Sequence, residues 1–500
     1  MAADKKPTID RRSDLLAAEV FLSPPPPAAA GELRAALCYP NSYRVGMASL
    51  GFQLVWGAAA SHPAFAVERY FASYAGRAPR GLVPNPRGLE RGTPLAEADV
   101  IAFAAYYEPD YLRLYGMLQG GGVRPWAAER GEYDPFVVVG GPAATANAEP
   151  VAPFADAVVL GDAEEAWPAL LEAVAAHAGA PRRAVLREFA GIAGVYVPSL
   201  YKALYGAPGS PVAIAPKAEA PPYPSITRLG DLSPYRGGSW IATSHAEFGK
   251  LLLLEPIRGC GRGCAFCETT VISSPPRERR LESLEPLVEE AAGVVKKVGL
   301  VGAAVADYNA VGPLARDVVE RGMLLSVSSL ALASPGTTEL LQALGASGQR
   351  GVALAPEAAT EEGRARLGKP LPPGRLEAAL EEAATAGLSK IKLYYVVGAP
   401  GETKAEVAAI GEELARLNGR FRTLTLEARV NPLVPKPRTP LAAAALLSRA
   451  DFRRLLGVIK AKARGAKVVG GSWREAKLQA DLGKGDRTAA RWIAHAAERA

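Results

Sequence analysis

The sequence predicts an α/β protein with an N-terminal doubly wound, Rossmann-like parallel sheet, followed by a partial (β/α)6 barrel and a helical C-terminal tail. Two observations predict this architecture. Short, continuously apolar runs alternate with helical patterns along most of the chain, which is typical of strands buried on both faces of a parallel sheet. The chain also has 500 residues, which is too many for one ordinary hydrophobic core.

The first sheet is predicted at 31–180, after an arm (1–30) that ends in a proline run and is flexible or acts as a strap. A connector with proline clusters follows at 181–245. The four apolar runs that predict strands of the sheet are LRAALCY (33–39), ADVIAFAAY (98–106), PFVVVGG (135–141) and DAVVLG (156–161).

The barrel is predicted at 246–440, with a helical extension at 441–500. Six strand–helix units indicate a parallel barrel, complete or partial, whose ligands bind at the carboxyl ends of the strands. The six runs are LLLLEP (251–256), VGLVGAAV (298–305), MLLSVSSL (323–330), GVALAPEA (351–358), IKLYYVVG (391–398) and TLTLEARV (423–430).

Composition excludes several classes of protein. About half of the residues are hydrophobic and charges of both signs are mixed, which excludes a disordered chain. The N-terminus has no signal-peptide pattern, and no apolar stretch is long enough to span a membrane, so a cytoplasmic location is expected. The net charge of +7 fits a nucleic-acid binder and an ordinary enzyme equally well.

Three of the four cysteines, Cys260, Cys264 and Cys267, form a C-x3-C-x2-C cluster directly after the first barrel run. Four cysteines in this length do not make a disulfide framework, so the cluster indicates a metal or catalytic site. Zinc usually needs four ligands, and adding His245 produces no common zinc spacing. The remaining cysteine, Cys38, lies in the first strand and is expected to be a small buried apolar residue.

The residues around the cysteines suit a loop that wraps a metal cluster. The glycines at 259, 261 and 263 permit a tight backbone path. Arg258 and Arg262 would favour thiolates and partly neutralise an anionic cluster. Three ligands for a four-iron cluster leave one iron open, so the thiols are predicted to hold a catalytic cluster rather than a structural one.

Several further motifs accompany the cysteines, and together they resemble the radical S-adenosylmethionine (SAM) superfamily, in its branch with an N-terminal cobalamin-binding-like domain. The aromatic residue before the third cysteine is Phe266. The other matching segments are YPNSYRVGMASLG (39–51), GGPAATANAEPVAPFADAVVLGDAEEA (140–166), PPRER (275–279), Ala355 to Arg364, Lys392 to Thr403 and Pro432 to Pro440.

The resemblance implies a chemistry and its cofactors. Cys260, Cys264 and Cys267 would ligate one [4Fe–4S] cluster, and the open iron would take the amino and carboxylate groups of SAM. One electron would then cleave SAM to methionine and a 5′-deoxyadenosyl radical that abstracts hydrogen from a substrate. Phe266 would lie near the adenine. A reducing electron donor of the flavodoxin or ferredoxin type is implied as a partner.

The resemblance also assigns SAM contacts to Glu357 and Arg364. An acid can anchor the ribose hydroxyls or the ammonium group, and a guanidinium can clamp the carboxylate. The alternative is that these two side chains form an ion pair with each other.

Four further residues complete the expected SAM site. Ser326 and Ser328 could bond the ribose, or they could be ordinary serines at the edge of the core. Gly398 and Pro400 end the fifth barrel strand, where the family pattern brings the backbone close to the adenosine.

Two motifs of relatives are missing. The GGE motif of the second barrel strand is absent, since Gly302 is followed by no acid until Asp307. The D-x-H-x-x-G cobalamin motif is absent too, and His62 and His177 are expected to be ordinary surface or packing residues. Any bound cobalamin would therefore lack a histidine lower ligand.

The sequence thus predicts a radical SAM enzyme of unknown substrate. Its chemistry would be either cobalamin-dependent methyl transfer, or hydrogen abstraction or rearrangement without cobalamin. One alternative is a radical SAM enzyme that modifies RNA, with the basic segment at 448–467 meeting phosphate, and another is a non-catalytic iron–sulfur or redox protein. No membrane partner is expected.

Overall fold

A computed structural model describes residues 12–26, 31–205 and 213–500. The described chain divides into two compact units, which differ from the predicted domains at their ends. The N-terminal unit comprises the described residues up to Leu229 together with Ser239–Lys250 and Leu482–Ala500. The barrel unit comprises Gly230–Gly238 and Leu251–Asp481.

The N-terminal unit is built on one six-stranded sheet with strand order β3-β2-β4-β5-β6-β7. All neighbours in it are parallel except β6 and β7, so the doubly wound prediction is confirmed with one antiparallel edge. The unit's strands are β1 (Glu19–Phe21), β2 (Leu33–Ser42), β3 (Phe65–Ser73), β4 (Val100–Ala104), β5 (Phe136–Gly140), β6 (Ala157–Val159), β7 (Val195–Tyr196), β8 (Tyr201–Leu204), β9 (Ala213–Pro216) and β10 (Ile241–Thr243).

The helices of this unit follow the strands in the expected alternation. They pack buried aromatic and aliphatic side chains against the sheet, in a core that includes Phe52, Trp56, Trp167 and Phe189. They are α1 (Arg12–Ala17), α2 (Tyr43–Gly46), α3 (Leu50–Ala60), α4 (Asp110–Gly120), α5 (Pro142–Ala146), α6 (Ala166–Ala176) and α7 (Arg182–Gly191).

Strand β3 was not predicted, because two charged residues interrupt its apolar pattern. Glu68 and Arg69 are nevertheless buried, and each has charged or polar partners. Arg69 forms ion pairs with Glu19 (2.7 Å) and Glu90 (2.6 Å), and Glu68 accepts a hydrogen bond from the backbone N–H of Arg91. Buried charges are tolerated when paired in this way, so the strand forms despite its sequence.

The described part of the predicted arm and most of the predicted connector belong to the N-terminal unit, whereas Gly230–Gly238 of the connector belongs to the barrel unit. Within the arm, β1 pairs antiparallel with β10, so the described part of the arm is a strap rather than a flexible segment. Residues 1–11 and 27–30 lie outside the described chain. The prediction of a separate connector at 181–245 is wrong, because β7 adds a strand to the sheet and buries Tyr196 completely.

The barrel unit contains all six predicted strands in parallel order. One sheet has the order β11-β14-β15 and the other β16-β17-β18-β19, and a parallel bridge between Leu330 and Leu354 joins them, which confirms the partial barrel. The strands are β11 (Leu252–Leu254), β12 (Ile257–Arg258), β13 (Arg277–Glu278), β14 (Lys297–Leu300), β15 (Leu324–Val327), β16 (Gly351–Glu357), β17 (Lys390–Val397), β18 (Thr425–Pro432) and β19 (Lys467–Gly470).

The helices of the barrel unit alternate with its strands. The longest, α14, begins with a capping box in which Thr403 and Glu406 bond each other's backbone N–H groups. The helices are α8 (Thr269–Ile272), α9 (Glu285–Ala292), α10 (Val311–Glu320), α11 (Thr337–Ala346), α12 (Glu361–Arg366), α13 (Arg375–Thr385), α14 (Lys404–Arg420), α15 (Arg449–Lys462) and α16 (Trp473–Gly483).

The C-terminal region is helical as predicted, but it is not one separate extension at 441–500. Strand β19 pairs with β18 and adds a seventh strand to the barrel sheets. The last helix, α17 (Ala489–Arg499), belongs to the N-terminal unit. Across residues 12–26, 31–205 and 213–500, no helix combines the length and apolarity needed to cross a membrane.

Candidate active site

The three clustered cysteines lie in one loop between β12 and α8, immediately after the carboxyl end of β11. Cys260 and Cys264 are buried and Cys267 is partly exposed. The loop turns back on itself, since the N–H of Cys267 bonds the Cys264 carbonyl at 3.1 Å. Gly259 has φ +85° and an added Cβ would lie 2.0 Å from the Ser273 carbonyl oxygen, so this position requires glycine.

The arginines of the loop bind carboxylates. The guanidinium of Arg258 contacts Glu255 at 2.8 Å. Arg262 donates to Asp307 at 2.9 Å through Nε and to the Ser334 hydroxyl at 2.7 Å. Asp307 is the first acid after the position of the missing GGE motif. Through its bond to Arg262 it connects the segment after β14 to the cysteine loop. The predicted effect of these arginines on the thiols stays a prediction.

The PPRER motif forms a two-stranded antiparallel ribbon, in which β13 pairs with β12 beside the cysteine loop. Arg279 is almost completely buried and donates to the Tyr235 carbonyl at 2.6 Å and to Glu255 at 2.8 Å. Glu255 also forms an ion pair with Arg258. One carboxylate therefore joins the PPRER motif to the start of the cysteine loop.

Glu357 is the last residue of β16, and its charge acts on Cys264 of the cysteine loop. It is 8% exposed, has φ +63°, and follows a register irregularity that begins at Leu354. Its carboxylate accepts a hydrogen bond from Lys369 at 2.7 Å. Burial raises the pKa of the Cys264 thiol, Lys369 opposes that effect, and the charges of Cys267, Cys260 and Glu357 add to it. These five side chains are therefore electrostatic neighbours.

Arg364 does not pair with Glu357, so the alternative of an ion pair between them is wrong. Its guanidinium instead donates to the Ala358 carbonyl at 2.9 Å, and its Nε is buried without a hydrogen-bond partner in the described chain. Its positive charge lowers the pKa of Glu413, which burial raises to about 7. Whether Arg364 contacts SAM stays a prediction.

Phe266 packs into a small apolar cluster formed where the barrel strands end. The buried members of this cluster are Ala358, Leu367, Ala399, Leu433 and Ala444. Phe266 therefore faces the region in which the sequence places the adenine, although a contact with adenine stays a prediction.

The remaining predicted SAM contacts are two serines near the end of β15 and two residues that follow β17. Ser326 is half-buried in β15, whereas Ser328 lies beyond the strand and is exposed. Gly398 has φ +95° and an added Cβ would lie 2.6 Å from the Leu447 side chain. Pro400 is exposed in the following turn. Leu447 therefore lies beside Gly398 at the end of β17, a contact that sequence reasoning did not indicate.

The donor set consists of three thiols, the ligand type that iron–sulfur clusters take. In the described chain, no group of three His, Cys, Asp or Glu side chains is arranged to hold one metal ion. A zinc site requires its ligands to converge on one ion, whereas a four-iron cluster distributes its thiolates over different irons. Three thiols in one loop, two of them buried, fit such a cluster in the chemistry of their donors.

The carboxyl edge of the N-terminal sheet offers aromatic and carboxylate groups. At the switch point between β2 and β4, the rings of Tyr39 and Tyr106 lie 5.7 Å apart, and an added Cβ at Gly51 would lie 2.2 Å from the Tyr106 hydroxyl. Burial raises the pKa of nearby Asp110 to about 7. His245 follows β10 by two residues, in the segment where the N–H of Glu247 bonds the Arg44 carbonyl just after β2.

Two of the histidines of the N-terminal unit, His62 and His177, occupy ordinary positions. His62 lies 3.2 Å from Glu172, and His177 bonds the Ala173 carbonyl within one helical turn. Cys38 is fully buried in β2, which raises the pKa of its thiol well above the ordinary value. A cavity of about 600 Å³ in this unit is lined by Arg12, Arg87 and neighbouring residues, and none of the predicted site residues contributes to it.

The fold and the loop together define the class: a two-unit α/β protein whose partial barrel carries a three-cysteine loop at its carboxyl edge. Two family models then identify the family. The model for radical SAM proteins, N-terminal, matches residues 51–198, and the model for the radical SAM superfamily matches residues 254–414. The chain belongs to the radical SAM superfamily and is a radical SAM enzyme.

The chain is similar to one curated protein and to solved structures of another. The uncharacterized protein MJ0966 of Methanocaldococcus jannaschii is 28% identical over 408 residues, which cover 81% of this chain and 78% of that protein. The radical S-adenosylmethionine methyltransferase TsrM from Kitasatospora setae, solved with cobalamin and a [4Fe–4S] cluster bound, has a TM-score of 0.56 at 16% identity over 82% of this chain and 76% of that chain. TsrM with tryptophan substrate and a SAM analog has a TM-score of 0.52 at 15% identity, over 82% of this chain and 75% of that chain. At these identities the likeness to TsrM is one of fold.

Proposed function

We propose that this enzyme holds one [4Fe–4S] cluster on Cys260, Cys264 and Cys267 and cleaves SAM reductively to act on a substrate of unknown identity. The observation that carries the proposal is the position of Glu357, a buried carboxylate at a strand end, as an electrostatic neighbour of Cys264. A carboxylate there can bind the ribose hydroxyls or the ammonium of SAM, as the resemblance implies.

The chain's own residues have distinct roles in this proposal. The three cysteines would hold the cluster and leave one iron free to bind SAM. Phe266 provides an apolar surface for the adenine, and Arg364 supports the turn after Glu357 by bonding the Ala358 carbonyl. When bound, the cluster would supply the electron that cleaves SAM. That electron must come from an external reductant, for which a flavodoxin- or ferredoxin-like protein is the proposed partner.

The test compares Cys264→Ala with Cys38→Ala after anaerobic reconstitution with iron and sulfide. Cys264 lies in the proposed ligand loop, whereas Cys38 is the cysteine outside it. With dithionite and SAM, the wild type and Cys38→Ala should release 5′-deoxyadenosine, and Cys264→Ala should hold less iron and release none. A wild-type protein with an intact cluster that releases no 5′-deoxyadenosine would contradict the proposal.

Cobalamin-dependent methyl transfer is the second candidate, favoured by the fold likeness to TsrM, whose structure contains cobalamin. Because the D-x-H-x-x-G motif that would supply a histidine ligand is absent from the sequence, we derive no step through cobalamin. Equilibrium binding of hydroxocobalamin, with S-adenosylhomocysteine measured as a product, decides the matter. Binding with product would support methyl transfer, and no binding would leave hydrogen abstraction or rearrangement.

A nucleic-acid substrate is the weaker candidate. In the basic segment at 448–467, three of the seven cations have acidic partners, including Lys467 with Glu427 at 2.6 Å. Arg454 pairs with Asp451 at 2.6 Å, and Lys462 pairs with Glu412 at 3.1 Å. Paired surface charges attract phosphate less than free ones, and salt-sensitive binding of bulk tRNA would be needed to revive this candidate.

A further inference from the structure

Helix α12 ends in a motif that fixes the position of Lys369. Gly368 has φ +64° and its N–H bonds the Ala365 carbonyl at 3.0 Å. The N–H of Lys369 bonds the Arg364 carbonyl at 2.9 Å. This pair of bonds around a left-handed glycine is a Schellman motif, which sets the direction in which the chain leaves the helix.

The same helix end lies directly on the cysteine loop. The N–H of Ala265 bonds the Leu367 carbonyl at 2.9 Å. An added Cβ at Gly368 would lie 3.0 Å from the Gly263 carbonyl oxygen and 3.1 Å from the Ala265 nitrogen. The backbone next to Lys369 is therefore fixed against the residues on both sides of Cys264.

From this position the Lys369 side chain reaches Glu357. Its Nζ lies 2.7 Å from a carboxylate oxygen, and the two side chains are only 19% and 10% exposed. Glu357 also has a left-handed backbone that a residue with a side chain adopts only when its surroundings hold it there. Lys369 provides such a restraint, since a charge-assisted hydrogen bond with little solvent competition is strong.

We propose that Lys369 is a positioning residue of the SAM site, which orients Glu357 and balances its charge beside the cluster. This inference rests on the proposed function. Without Lys369, an uncompensated carboxylate would remain near Cys264. Reduction adds negative charge to the cluster, and an unpaired neighbouring anion opposes that addition. Losing Lys369 therefore makes the cluster harder to reduce and leaves Glu357 free to turn away from SAM.

The experiment compares Lys369→Met and Lys369→Arg with Lys392→Met, which alters an exposed lysine of β17 as a matched control. The reconstituted proteins are assayed for iron and sulfide, for the midpoint potential of the cluster by EPR, and for SAM affinity from the change in the EPR signal. In Lys369→Met, full cluster content, a more negative potential and SAM binding weakened about tenfold are expected. In Lys369→Arg the midpoint potential and the SAM affinity should be close to those of the wild type, because the positive charge is kept. Lys392→Met should match the wild type in both.

A double variant, Lys369→Met with Glu357→Gln, separates charge from position. It removes both charges, so its potential should return towards the wild-type value while SAM binding stays weak. An unchanged potential and SAM affinity in Lys369→Met, or loss of the cluster from it, would overturn the inference, since the latter would show a structural role. The proposed function is judged separately, by whether the wild type releases 5′-deoxyadenosine.

Discussion

At the scale of single residues, Glu413 interacts with Tyr395 and with the charge of Arg364. Tyr395 is completely buried in β17 and its hydroxyl donates to Glu413 at 2.7 Å. Burial raises the pKa of Glu413 to about 7, while Tyr395, Arg364 and Arg416 pull it down and Glu377 pushes it up. Near neutral pH this carboxyl group is therefore only partly ionised, which is unusual for a side chain with arginines nearby.

The change Glu413→Gln should alter the pH dependence of stability. The folded pKa lies above the ordinary value of 4.5, so the folded state binds more protons and wild-type stability falls as pH rises from about 4.5 to about 7. Glutamine keeps an acceptor for Tyr395 and does not titrate. In urea unfolding, the free energy of unfolding of the variant relative to the wild type should therefore rise with pH. This difference should be about 1–3 kcal/mol larger at pH 8 than at pH 5.

The matched control for this prediction is Glu412→Gln, an adjacent and largely exposed acid on α14. Its pH dependence should follow the wild type. The raised pKa of Asp110 in the N-terminal unit contributes the same trend to all three proteins, so it cancels in the comparison. Parallel pH curves for Glu413→Gln and the wild type would refute the assignment.

At the scale of elements, two short pieces frame the cysteine loop. On one side is the β12–β13 ribbon, where Arg279 joins the PPRER motif to Glu255. On the other side is the end of α12, whose Leu367 carbonyl receives the N–H of Ala265. Both are formed by backbone geometry and buried polar groups rather than by a large apolar area, so substitutions that disturb the backbone should affect the loop strongly.

Replacing Gly368 with alanine should disturb the loop more than replacing Gly374. Both glycines have positive φ, +64° and +73°, so each alanine variant pays about 1 kcal/mol of backbone strain. An added Cβ at Gly368 also meets the Gly263 carbonyl at 3.0 Å, whereas Gly374 has open space. Iron and sulfide content and the melting temperature should drop in Gly368→Ala, for a total cost of about 2–3 kcal/mol. Equal losses in the two variants would show that the contact with the loop is unimportant.

At the scale of the whole molecule, the chain end returns to the N-terminal unit. Asn147 donates to the carbonyls of Gly483 and Gly485 at 2.9 and 2.8 Å. Arg487 pairs with Glu149 at 2.8 Å and bonds the Tyr196 hydroxyl at 2.5 Å. The last residues therefore complete a unit whose other parts lie several hundred positions earlier in the sequence.

The change Arg487→Met should destabilise the N-terminal unit by about 2–3 kcal/mol, because it leaves the largely buried Glu149 carboxylate without its cation. Limited proteolysis should show faster cutting within 31–229 while fragments of the barrel unit persist. The exposed Arg491→Met, on α17 four residues after Arg487, is the control and should behave as the wild type. Unchanged cutting in Arg487→Met would mean that the C-terminal contact contributes little.

Much of the fold could be predicted because it depends on local patterns. The six barrel runs and four strands of the N-terminal sheet are continuous apolar segments, and burial on both faces selects that pattern wherever such a strand occurs. Strand β3 was missed because Glu68 and Arg69 break its pattern, and only their distant partners make burial acceptable. Strand β19 was missed because a half-buried edge strand carries a weak apolar signal.

The candidate site divides in the same way. The cysteine spacing, Phe266 and Glu357 could be identified from motifs, since each lies at a recognisable strand end. Lys369 could not be identified, because its role depends on how α12 ends and on the approach of that end to the cysteine loop. The motif GK after the helix is the one signal that could have suggested it.

The sequence by itself determined the parallel architecture, because that follows from hydrophobic pattern, and its motifs resemble the superfamily and predict the residues that would hold a cluster. Only the tertiary structure decided which charges meet: Glu357 with Lys369 rather than Arg364, Asp307 with Arg262, and Arg487 with Glu149. The physical reason is that ion pairs form between groups brought within a few ångströms by folding, and separation along the chain does not predict that approach.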